Sequence, residues 1–409
     1  MIKVVTTVKF KNAAVLLRAG FDVPLKQLKE KNEWVVADNT RIKDCLPTIQ
    51  YLIGQRAKII LLSHLDRPKG QVVSDKSMWP VAFELAGLLG LKPVRVKDVL
   101  PAYSIPHLYF LDSDITKKDY SPLVSKMKPG DILFLENLRF YPGEEEGDRQ
   151  FIETLAKFGK FYVNEAFSVA HRKEASMFGL PSKLTAYVGI SFAKEIAALD
   201  RLIKNPAQPF VVIMGGVKVE DKVDTINYLG DKAQKLLLGG AIGNGFIKAL
   251  GYEIGQSKAA DESVAKQIYR NFKDKIVLPE DVVVAKTETD NPRVVTLDKV
   301  LPNETIFDIG PKTVARFSGE ISKAKTVVWN GPLGKIEVSK FAFGSKAMAR
   351  AIAGVGKGKA FTVVGGGETA LAVDMTHVSE FIDHISTGGG ALLEYLAGKK
   401  LPAIKALEQ

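Results

Sequence analysis

The sequence predicts an α/β protein of two domains, each built around a parallel sheet. Short apolar runs alternate along the chain with helix-length segments, an order that favours parallel strands joined by helical crossovers. The runs are apolar at consecutive positions, as expected of strands covered on both faces. With 409 residues the chain exceeds the roughly 250–300 residues at which a single hydrophobic core stops growing, so two domains are expected.

Two sets of predicted strands divide the chain. The strands of the first set are Ala14–Leu17, Lys58–Leu62, Asp131–Leu135 and Phe161–Val163. The strands of the second set are Phe210–Met214, Lys235–Leu238, Val282–Ala285, Thr326–Trp329 and Phe361–Val364. Between the sets, residues 192–199 predict a helix. This helix should end before Pro206, because proline cannot continue a helix. We expect a first domain over residues 1–184 and a second over 185–385, joined by structured elements rather than a flexible linker.

Composition narrows the classes of function. Apolar residues make up 46% of the chain, as in ordinary globular proteins, and no apolar run approaches the ~18–20 residues that span a bilayer. We expect no signal peptide at the N-terminus, which lacks a charged start and a small-residue cleavage site. Cys45 is the single cysteine, so no disulfide can form within the chain. A cytoplasmic location without a membrane partner is expected.

The basic balance of the chain, a net charge of +11, has two possible explanations. One is a surface for nucleic acid or membrane, and the other is a pocket for strongly anionic metabolites. The lysines are spread along the whole chain, and no basic segment interleaved with aromatic residues stands out. This distribution favours a generally basic surface with a local anion pocket, so no specific nucleic-acid partner is expected.

Cationic side chains follow the predicted strands of the first half. His64 and Arg67 come after one strand, Arg139 after the next and Arg172 after the last. Ligands of open α/β sheets bind beyond the carboxyl ends of the strands, and arginine forks match phosphate and carboxylate oxygens. Any one of these residues alone would more often be an ordinary surface residue. Four of them at equivalent strand ends favour a site for a phosphorylated acid.

Glycine-rich turns follow the predicted strands of the second half. The glycines lie at 215–216, 239–240, 331 and 334, 365–367 and 388–390. A glycine turn that opens into a helix offers free N–H groups and the positive end of the helix dipole to a phosphate. A tight turn without a ligand is the better explanation for one glycine pair, but five such turns favour a nucleotide site.

Two alternatives to that nucleotide site are weaker. The chain has no Walker A sequence, which excludes a P-loop protein. Residues 365–370 fit a relaxed dinucleotide pattern, with Asp383 about 20 residues further on. An NAD-dependent dehydrogenase therefore stays an alternative, although it explains neither the arginines nor Lys218 and Lys222.

A soft-metal site is not expected, because the five histidines lack zinc spacing and Cys45 stands alone. A hard cation such as Mg²⁺ is usually held by one carboxylate together with nucleotide phosphates. Glu368, at a predicted helix start beside three glycines, is the candidate carboxylate.

Taken in order, these segments resemble phosphoglycerate kinases over about residues 17–407. The segments are Asp38–Ile49, Ser63–Gly70, Glu136–Phe140, Tyr162–Ser176, Gly215–Lys222, Val328–Glu337, Gly365–Thr369 and His384–Ala391. The resemblance implies two Rossmann-like domains with parallel sheets that face a central cleft, with a hinge between them. It implies that segment 386–409 returns to the N-terminal domain. A monomer is the simplest expectation, because one cleft in one chain would hold all the parts. The implied reaction, a step of glycolysis and gluconeogenesis, is reversible phosphoryl transfer from 1,3-bisphosphoglycerate to ADP, giving 3-phosphoglycerate and ATP with Mg²⁺.

The resemblance also implies roles for individual residues. The residues expected to bind phosphoglycerate are Phe21, Asp22, Arg41, His64, Arg67, Arg139 and Arg172. Those expected to bind the nucleotide are Lys218, Lys222, Glu337, Gly366, Gly367, Glu368 and Thr369. Glu368 would bind the metal. The transferred phosphoryl group would be held by Arg41, Lys218, Gly367 and Gly390, the last two through backbone N–H groups.

The chain departs from the usual family pattern at several positions around the site. The departures are Gly20 for Asp, Asp22 for Asn, Asp66 for Gly, Glu165 for Asp, Ser168 for Gly, Glu174 for His and Glu368 for Asp. An added carboxylate beside an anion site weakens binding unless a cation pairs with it. We expect these changes to alter the phosphoglycerate half more than the nucleotide half. The alternative is a divergent relative that acts on another acid or serves as a nucleotide-binding regulatory module.

Overall fold

The computed structural model describes residues 2–30, 32–217 and 222–408. The chain forms two compact units. The first unit runs to Ile196 and includes the segment that begins at Lys400, and the second unit is Ala197–Lys399. The domain boundaries predicted from the sequence, at 184/185 and 385/386, stay predictions.

The first unit is built on a parallel sheet. Its strands are β1 (Ala14–Ala19), β2 (Leu25–Leu28), β3 (Glu33–Val36), β4 (Lys58–Leu62), β5 (Pro93–Val96), β6 (Leu108–Leu111), β7 (Ile132–Leu135), β8 (Phe161–Glu165) and β9 (Thr185–Val188). The sheet order is β5-β6-β7-β4-β1-β8-β9, with every pair parallel, and β2 and β3 form a separate antiparallel pair. The helices are α1 (Thr40–Gly54), α2 (Trp79–Leu89), α3 (Pro122–Lys126), α4 (Pro142–Glu146) and α5 (Arg149–Ala156). Helix α6 (Ile190–Ile203) spans the boundary of the two units.

The second unit has a parallel sheet and a smaller antiparallel one. Its strands are β10 (Phe210–Met214), β11 (Lys235–Leu238), β12 (Ile276–Val277), β13 (Asp281–Ala285), β14 (Arg293–Thr296), β15 (Thr305–Ile309), β16 (Thr326–Asn330), β17 (Phe361–Gly365) and β18 (His384–Ser386). The parallel order is β12-β11-β10-β16-β17-β18, and the antiparallel order is β14-β13-β15. The helices are α7 (Val223–Lys232), α8 (Gly240–Ala249), α9 (Glu262–Phe272), α10 (Pro311–Lys323), α11 (Phe343–Ala353), α12 (Gly367–Asp374) and α13 (Gly389–Leu396). Helix α14 (Pro402–Leu407) follows in the segment that belongs to the first unit.

The predicted strands are confirmed within one or two residues at their ends. For one of them the predicted parallel pairing is wrong. Strand β13, predicted to be parallel, pairs antiparallel with β14 and β15. Only residues 286–292 connect β13 to β14, too few for the crossover of a dozen or more residues that parallel neighbours need. The apolar run of β13 could not reveal this, because buried strands of both kinds are apolar on both faces.

The apolar strands form the cores because helices cover the sheets. In the first unit, Leu17 and Phe134 from the sheet belong to one buried cluster with Ile49 of α1 and Leu85 of α2. In the second, Trp329 at the end of β16 is fully buried and its indole N–H donates to the Gly331 carbonyl at 2.8 Å. Among the described residues, no helix is long and apolar enough to cross a membrane.

Glu165, at the end of β8, holds the first turn of α6. Its carboxylate accepts hydrogen bonds from the backbone N–H groups of Ser191 and Phe192, both at 2.9 Å, and from the Thr48 hydroxyl at 2.6 Å. The side chain is 5% exposed, and burial raises its pKa. A buried acceptor thus satisfies N–H groups that a helix start leaves without an intrahelical partner.

We predict that Glu165→Ala lowers the free energy of unfolding by about 2–3 kcal/mol, because it leaves a buried N–H group, a partly buried N–H group and a buried hydroxyl without their acceptor. Urea unfolding followed by circular dichroism measures the change. The control is Glu153→Ala on the exposed face of α5, which should shift the free energy by less than about 0.5 kcal/mol. Equal effects of the two substitutions would contradict the capping role.

Candidate active site

The carboxyl ends of β1, β4, β7 and β8 meet at one edge of the first sheet. Arg18 of β1 lies in register with Leu62 of β4 on one side and with Asn164 of β8 on the other. His64 follows β4 by two residues, and Arg139 follows β7 by four. Parallel register therefore brings the predicted His64 and Arg139 together, and it adds Arg18, to which sequence reasoning gave no role.

Arg18 is fully buried, and its guanidinium fixes the tautomer of His64. Its Nη2 lies 2.8 Å from His64 Nδ1. A guanidinium can only donate, so Nδ1 must accept and the ring proton of neutral His64 must be on Nε2. Burial, followed by the charges of Arg18 and Arg139, lowers the pKa of His64 well below its usual value. His64 is therefore a neutral imidazole that offers its Nε2–H as a donor.

The other donors of Arg18 tie it to a buried carboxylate. Its Nε donates to the Ser176 hydroxyl at 2.8 Å and its Nη1 to the Ala19 carbonyl at 2.6 Å. Ser176 in turn donates to Glu144, from its hydroxyl at 2.5 Å and from its backbone N–H at 3.0 Å. Burial raises the pKa of Glu144 to about 7, and the nearby carboxylate of Glu174 adds to the rise. One signal for this network was in the sequence, because Arg18 is a charged residue inside an otherwise apolar strand.

Glu174 lies among three arginines. Arg139 Nη2 donates to its Oε1 at 2.6 Å, and Arg172 Nη1 lies 3.7 Å from the same oxygen. Arg18 Nη2 lies 3.7 Å from the other oxygen, Oε2. We call Arg18, Arg139 and Arg172 the arginine cluster. Glu174 was noted from the sequence only as a departure, and the structure gives it these cationic neighbours.

Several buried polar atoms of this site have no hydrogen-bond partner within the described residues. They are His64 Nε2, Arg139 Nε, Arg172 Nε and Glu174 Oε2. Buried donors without partners are rare in folded proteins, because each costs about 1–3 kcal/mol. Three such donors beside one another are typical of a site that receives an anion.

Asp66, which stands where the resemblance led us to expect glycine, is accommodated in two ways. Its φ of 54° lies in the left-handed region, which Asp tolerates better than most residues, and this conformation explains why glycine suits the position. Its carboxylate pairs with Lys76, and that hydrogen bond lowers the pKa of Asp66. Lys76 thus neutralises the Asp66 carboxylate, which would otherwise weaken anion binding at this site. Lys76 was not among the residues predicted from the sequence.

Asp22 connects several site residues. Its Oδ1 accepts the backbone N–H of Asp66 at 2.8 Å, and its Oδ2 lies 3.8 Å from His64 Nε2. Its carbonyl accepts from Nη1 of Arg41, the second residue of α1, at 2.5 Å. Burial and the charge of Arg139 lower the pKa of Arg172, and the exposed Arg67 adds a smaller effect in the same direction. The predicted cations thus lie around a common edge, with Arg67 on its solvent side.

Gly20 leaves a space beside the site, and the ring of the neighbouring Phe21 points into the core. A Cβ on Gly20 would lie 3.4 Å from the Ser168 hydroxyl, an ordinary contact, so the missing side chain leaves a space beside Ser168. The ring of Phe21 is buried in the core, 6.1 Å from that of Phe134, and its N–H donates to the Ser63 hydroxyl at 3.1 Å. Any ligand contact of Phe21 would therefore fall to its carbonyl rather than to its ring.

The second unit contains a cavity of about 610 Å³ lined by glycines from three of the five predicted turns. Its lining includes Gly216, Gly240, Gly334, Lys258, Lys286, Lys335, Glu337 and Glu368. The volume lies in the range of ordinary small-molecule sites, roughly 300–1,000 Å³. Two of the turns touch, because a Cβ on Gly215 would lie 2.3 Å from the Pro332 carbonyl. Only glycine at 215 allows these loops to approach so closely.

The predicted nucleotide residues have different surroundings. Lys222 is buried and donates to the Gly215 carbonyl at 2.5 Å, while Glu337 and Glu368 are exposed at the cavity. The Thr369 hydroxyl accepts the Gly331 N–H at 2.8 Å, so Thr369 shapes the neighbouring turn. Lys218 lies outside the described residues.

Two helix starts lie at the same edge of the second sheet. Helix α12 begins at Gly367 after Gly366, whose φ of 95° favours glycine, and α13 begins one residue before Gly390. The preceding strands, β17 and β18, are parallel neighbours, and Gly366 N–H donates to the Ser386 carbonyl at 3.1 Å. Free N–H groups of both first turns are therefore presented at one edge.

Comparison with known proteins gives consistent results. The model of the family described as phosphoglycerate kinase matches residues 5–399. The phosphoglycerate kinase of Moorella thermoacetica is 41% identical over 405 residues, covering 97% of both chains. A phosphoglycerate kinase structure from Coxiella burnetii aligns over 100% of this chain and 99% of its own, with a TM-score of 0.83 and 35% identity. One from Pyrococcus horikoshii OT3 aligns over 100% and 98%, with a TM-score of 0.82 and 29% identity.

Parallel α/β units with these two sites, together with these relatives, define a phosphotransferase whose acceptor is a carboxyl group. The chain belongs to the phosphoglycerate kinase family.

We predict that Glu144 makes the stability of the first unit depend on pH. Its pKa is about 7 in the folded state and about 4.5 in the unfolded chain. A raised carboxyl pKa gives stability that is present below about pH 4.5 and lost as the pH rises through 7. Glu144 should contribute a fall of roughly 2–3 kcal/mol in the free energy of unfolding between pH 5 and 8, while His64, which is neutral in the fold, contributes a slope of opposite sign. Glu144→Gln should therefore shift the measured slope by about that amount toward stability that rises with pH.

Urea unfolding at a series of pH values measures the slope. Glu153→Gln on α5 is the control, because its exposed side chain should leave the slope over this range unchanged. If the Glu144→Gln protein kept the slope of the parent chain, another group would be responsible.

Proposed function

We propose that the enzyme transfers a phosphoryl group reversibly between 1,3-bisphosphoglycerate and ADP, giving 3-phosphoglycerate and ATP. The observation that carries the proposal is the set of unpartnered buried donors on His64, Arg139 and Arg172, where partners were sought among the described residues. A phosphorylated acid supplies the anionic oxygens that these donors lack. Family membership and the glycine-lined cavity of the second unit support the nucleotide half.

In this proposal the first unit binds the phosphoglycerate. Arg139, Arg172 and the exposed Arg67 provide positive charge, and His64 donates from Nε2 without adding charge of its own. Asp22 positions Arg41 through its carbonyl, which holds that guanidinium near the same edge. Fixed donors of this kind bind an anion with little reorganisation, the property on which phosphoryl transfer mostly depends.

The second unit holds the nucleotide in the 610 Å³ cavity, with its phosphates at the glycine turns. Gly367 and Gly390 present backbone N–H groups from two helix starts, Gly366 forms the turn before the first of them, and Thr369 keeps the neighbouring turn in place. Lys222 is proposed to act at this site, as are Lys218 and Glu337. The phosphoryl group in flight would be stabilised by Arg41, Lys218 and the N–H groups near Gly367 and Gly390.

The leaving group of the forward reaction is a carboxylate, so no strong general acid is required. The acyl phosphate hydrolyses in water, and the reaction therefore needs water excluded around the transferred group. We propose that closure of two hinged domains provides this exclusion. We also propose that the enzyme acts as a monomer in the cytoplasm, since all the proposed groups belong to one chain and Cys45 is its single, buried cysteine.

Mg²⁺ is the expected companion of the nucleotide, and the residues fit it. No group of three or more His, Cys, Asp or Glu side chains that could hold a metal occurs in the part of the chain that the structure describes. Glu368, exposed in the first turn of α12 and lining the cavity, supplies one carboxylate. One carboxylate with nucleotide phosphates is a usual arrangement for Mg²⁺, which neutralises phosphate charge when bound.

A coupled assay of ATP-dependent phosphorylation of 3-phosphoglycerate tests the reaction. Turnover that requires both substrates and Mg²⁺ is expected of the purified protein. Binding of ATP by calorimetry without turnover would reject the proposed reaction in favour of another acid substrate or a regulatory role. Binding of a nicotinamide nucleotide without binding of ATP would favour the dehydrogenase alternative.

We predict that Arg41→Ala lowers kcat by about 10²–10³-fold while changing the affinity for phosphoglycerate much less. The reason is that Arg41 should act mainly on charge that develops in the transition state. Steady-state kinetics and calorimetry measure the two effects separately. Arg149→Ala, which removes the same charge from the exposed face of α5, is the control and should leave kcat unchanged. Near-normal turnover of the Arg41→Ala enzyme would remove Arg41 from the catalytic role.

A further inference from the structure

Glu174 introduces a carboxylate at the centre of the site that should receive an anion. It is 2% exposed, and its oxygens lie within 4 Å of all three members of the arginine cluster. A buried carboxylate in this position is an anion already present in a cationic site. Its contacts therefore bear directly on how tightly a second anion can bind.

The contact with Arg139 uses part of a phosphate-binding fork. A guanidinium can bind an oxyanion side-on by donating two parallel hydrogen bonds, one from Nε and one from Nη2. Nη2 of Arg139 donates to Glu174 at 2.6 Å, while its Nε has no hydrogen-bond partner in the described part of the chain. The nearest other carboxylate to Nε is that of Glu145, at 3.8 Å, beyond hydrogen-bond distance. Glu174 thus accepts a hydrogen bond from Nη2 of Arg139, while Nε of the same guanidinium stays available to a ligand.

The remaining members of the cluster differ in what they can still offer. Arg18 is committed to Ser176, Ala19 and His64 through all three of its nitrogens. Arg172 is partly exposed, lies 3.7 Å from Glu174 and has a buried Nε without a partner among the residues described. An incoming phosphate would therefore meet Arg139 and Arg172, the two arginines on which Glu174 already acts.

We propose that Glu174 sets the affinity of the site, because its carboxylate competes with the phosphate of the substrate for Arg139 and Arg172 and so weakens its binding. The identity of the substrate rests on the proposed function, but the competition itself concerns any phosphate. In the absence of substrate the same carboxylate offsets the mutual repulsion of three arginines, two of them fully buried. Glu174 thus stabilises the unliganded site and at the same time lowers its affinity for substrate.

The direct test is Glu174→Gln in the full-length chain. The amide keeps an oxygen that can accept from Arg139 Nη2 and removes the negative charge. Calorimetric titration with 3-phosphoglycerate should give a Kd on the order of tenfold lower than that of the parent enzyme, the scale of one partly buried charge interaction. The KM for 3-phosphoglycerate should fall with it, whereas the KM for ATP should not.

The control is Glu153→Gln, which removes one charge from the same unit at an exposed position and should change neither constant. If Glu174→Gln fails to fold, Glu174→His removes the same carboxylate and should shift the Kd in the same direction. An unchanged or higher Kd in a folded variant would show that Glu174 positions the arginines instead of competing for them, and would overturn the inference.

Titration with inorganic phosphate separates this inference from the proposed function. Glu174→Gln should bind inorganic phosphate more tightly than the parent chain even if 3-phosphoglycerate proves not to be the substrate. Equal phosphate affinity in the two proteins would reject the competition, whether or not the coupled assay shows turnover.

Discussion

The buried guanidinium of Arg18 is the constraint on which the first unit's site depends. A charge at this depth is tolerated only when its donors are satisfied and a counter-charge is near, since an uncompensated one costs several kcal/mol. Hydrogen bonds to Ser176, Ala19 and His64 satisfy it, and Glu174 is the nearby carboxylate. Meeting this requirement fixes the orientation of the functional side chains around it.

The same requirement explains why His64 can serve an anion without being charged. Arg18 takes the lone pair on Nδ1, so the proton on Nε2 faces the site. Burial and the surrounding arginines both disfavour a positive charge on the ring. A neutral donor that does not titrate in the physiological range would bind an anion with the same strength across a range of pH.

Three of the departures from the expected pattern, Asp22, Asp66 and Glu174, belong to one chain of contacts. The Asp22 carboxylate accepts from the backbone of Asp66, and Asp66 pairs with Lys76. The carbonyl of Asp66 accepts from Arg139 at 2.8 Å, which in turn binds Glu174. A carboxylate that looks unfavourable in the sequence therefore has a cation or a backbone N–H as partner in the fold. These three residues are therefore linked in the fold, as the proposed tuning of affinity at this site requires.

Much of this fold could be predicted from the sequence, because apolar runs and glycine turns are local signals. The strands and the convergence of His64 and Arg139 at one edge followed from parallel order. The antiparallel pairing of β13 could not be read from its apolar run, since pairing depends on the connection and not on the strand itself. The role of Arg18 was missed because it depends on hydrogen-bond partners that lie 46 and 158 residues away in the sequence. The role of Glu174 likewise required the distances to three arginines, which no sequence pattern supplies.

The most direct test of the account is the tautomer of His64, measured by ¹⁵N NMR of the histidine rings in the purified protein. The chain has five histidines, and the spectrum of a His64→Gln variant assigns the signal. The account predicts a neutral ring with its proton on Nε2 and a bare Nδ1 at every pH from about 5 to 8. A ring protonated on Nδ1, or a doubly protonated ring within this range, would contradict the central role given to Arg18.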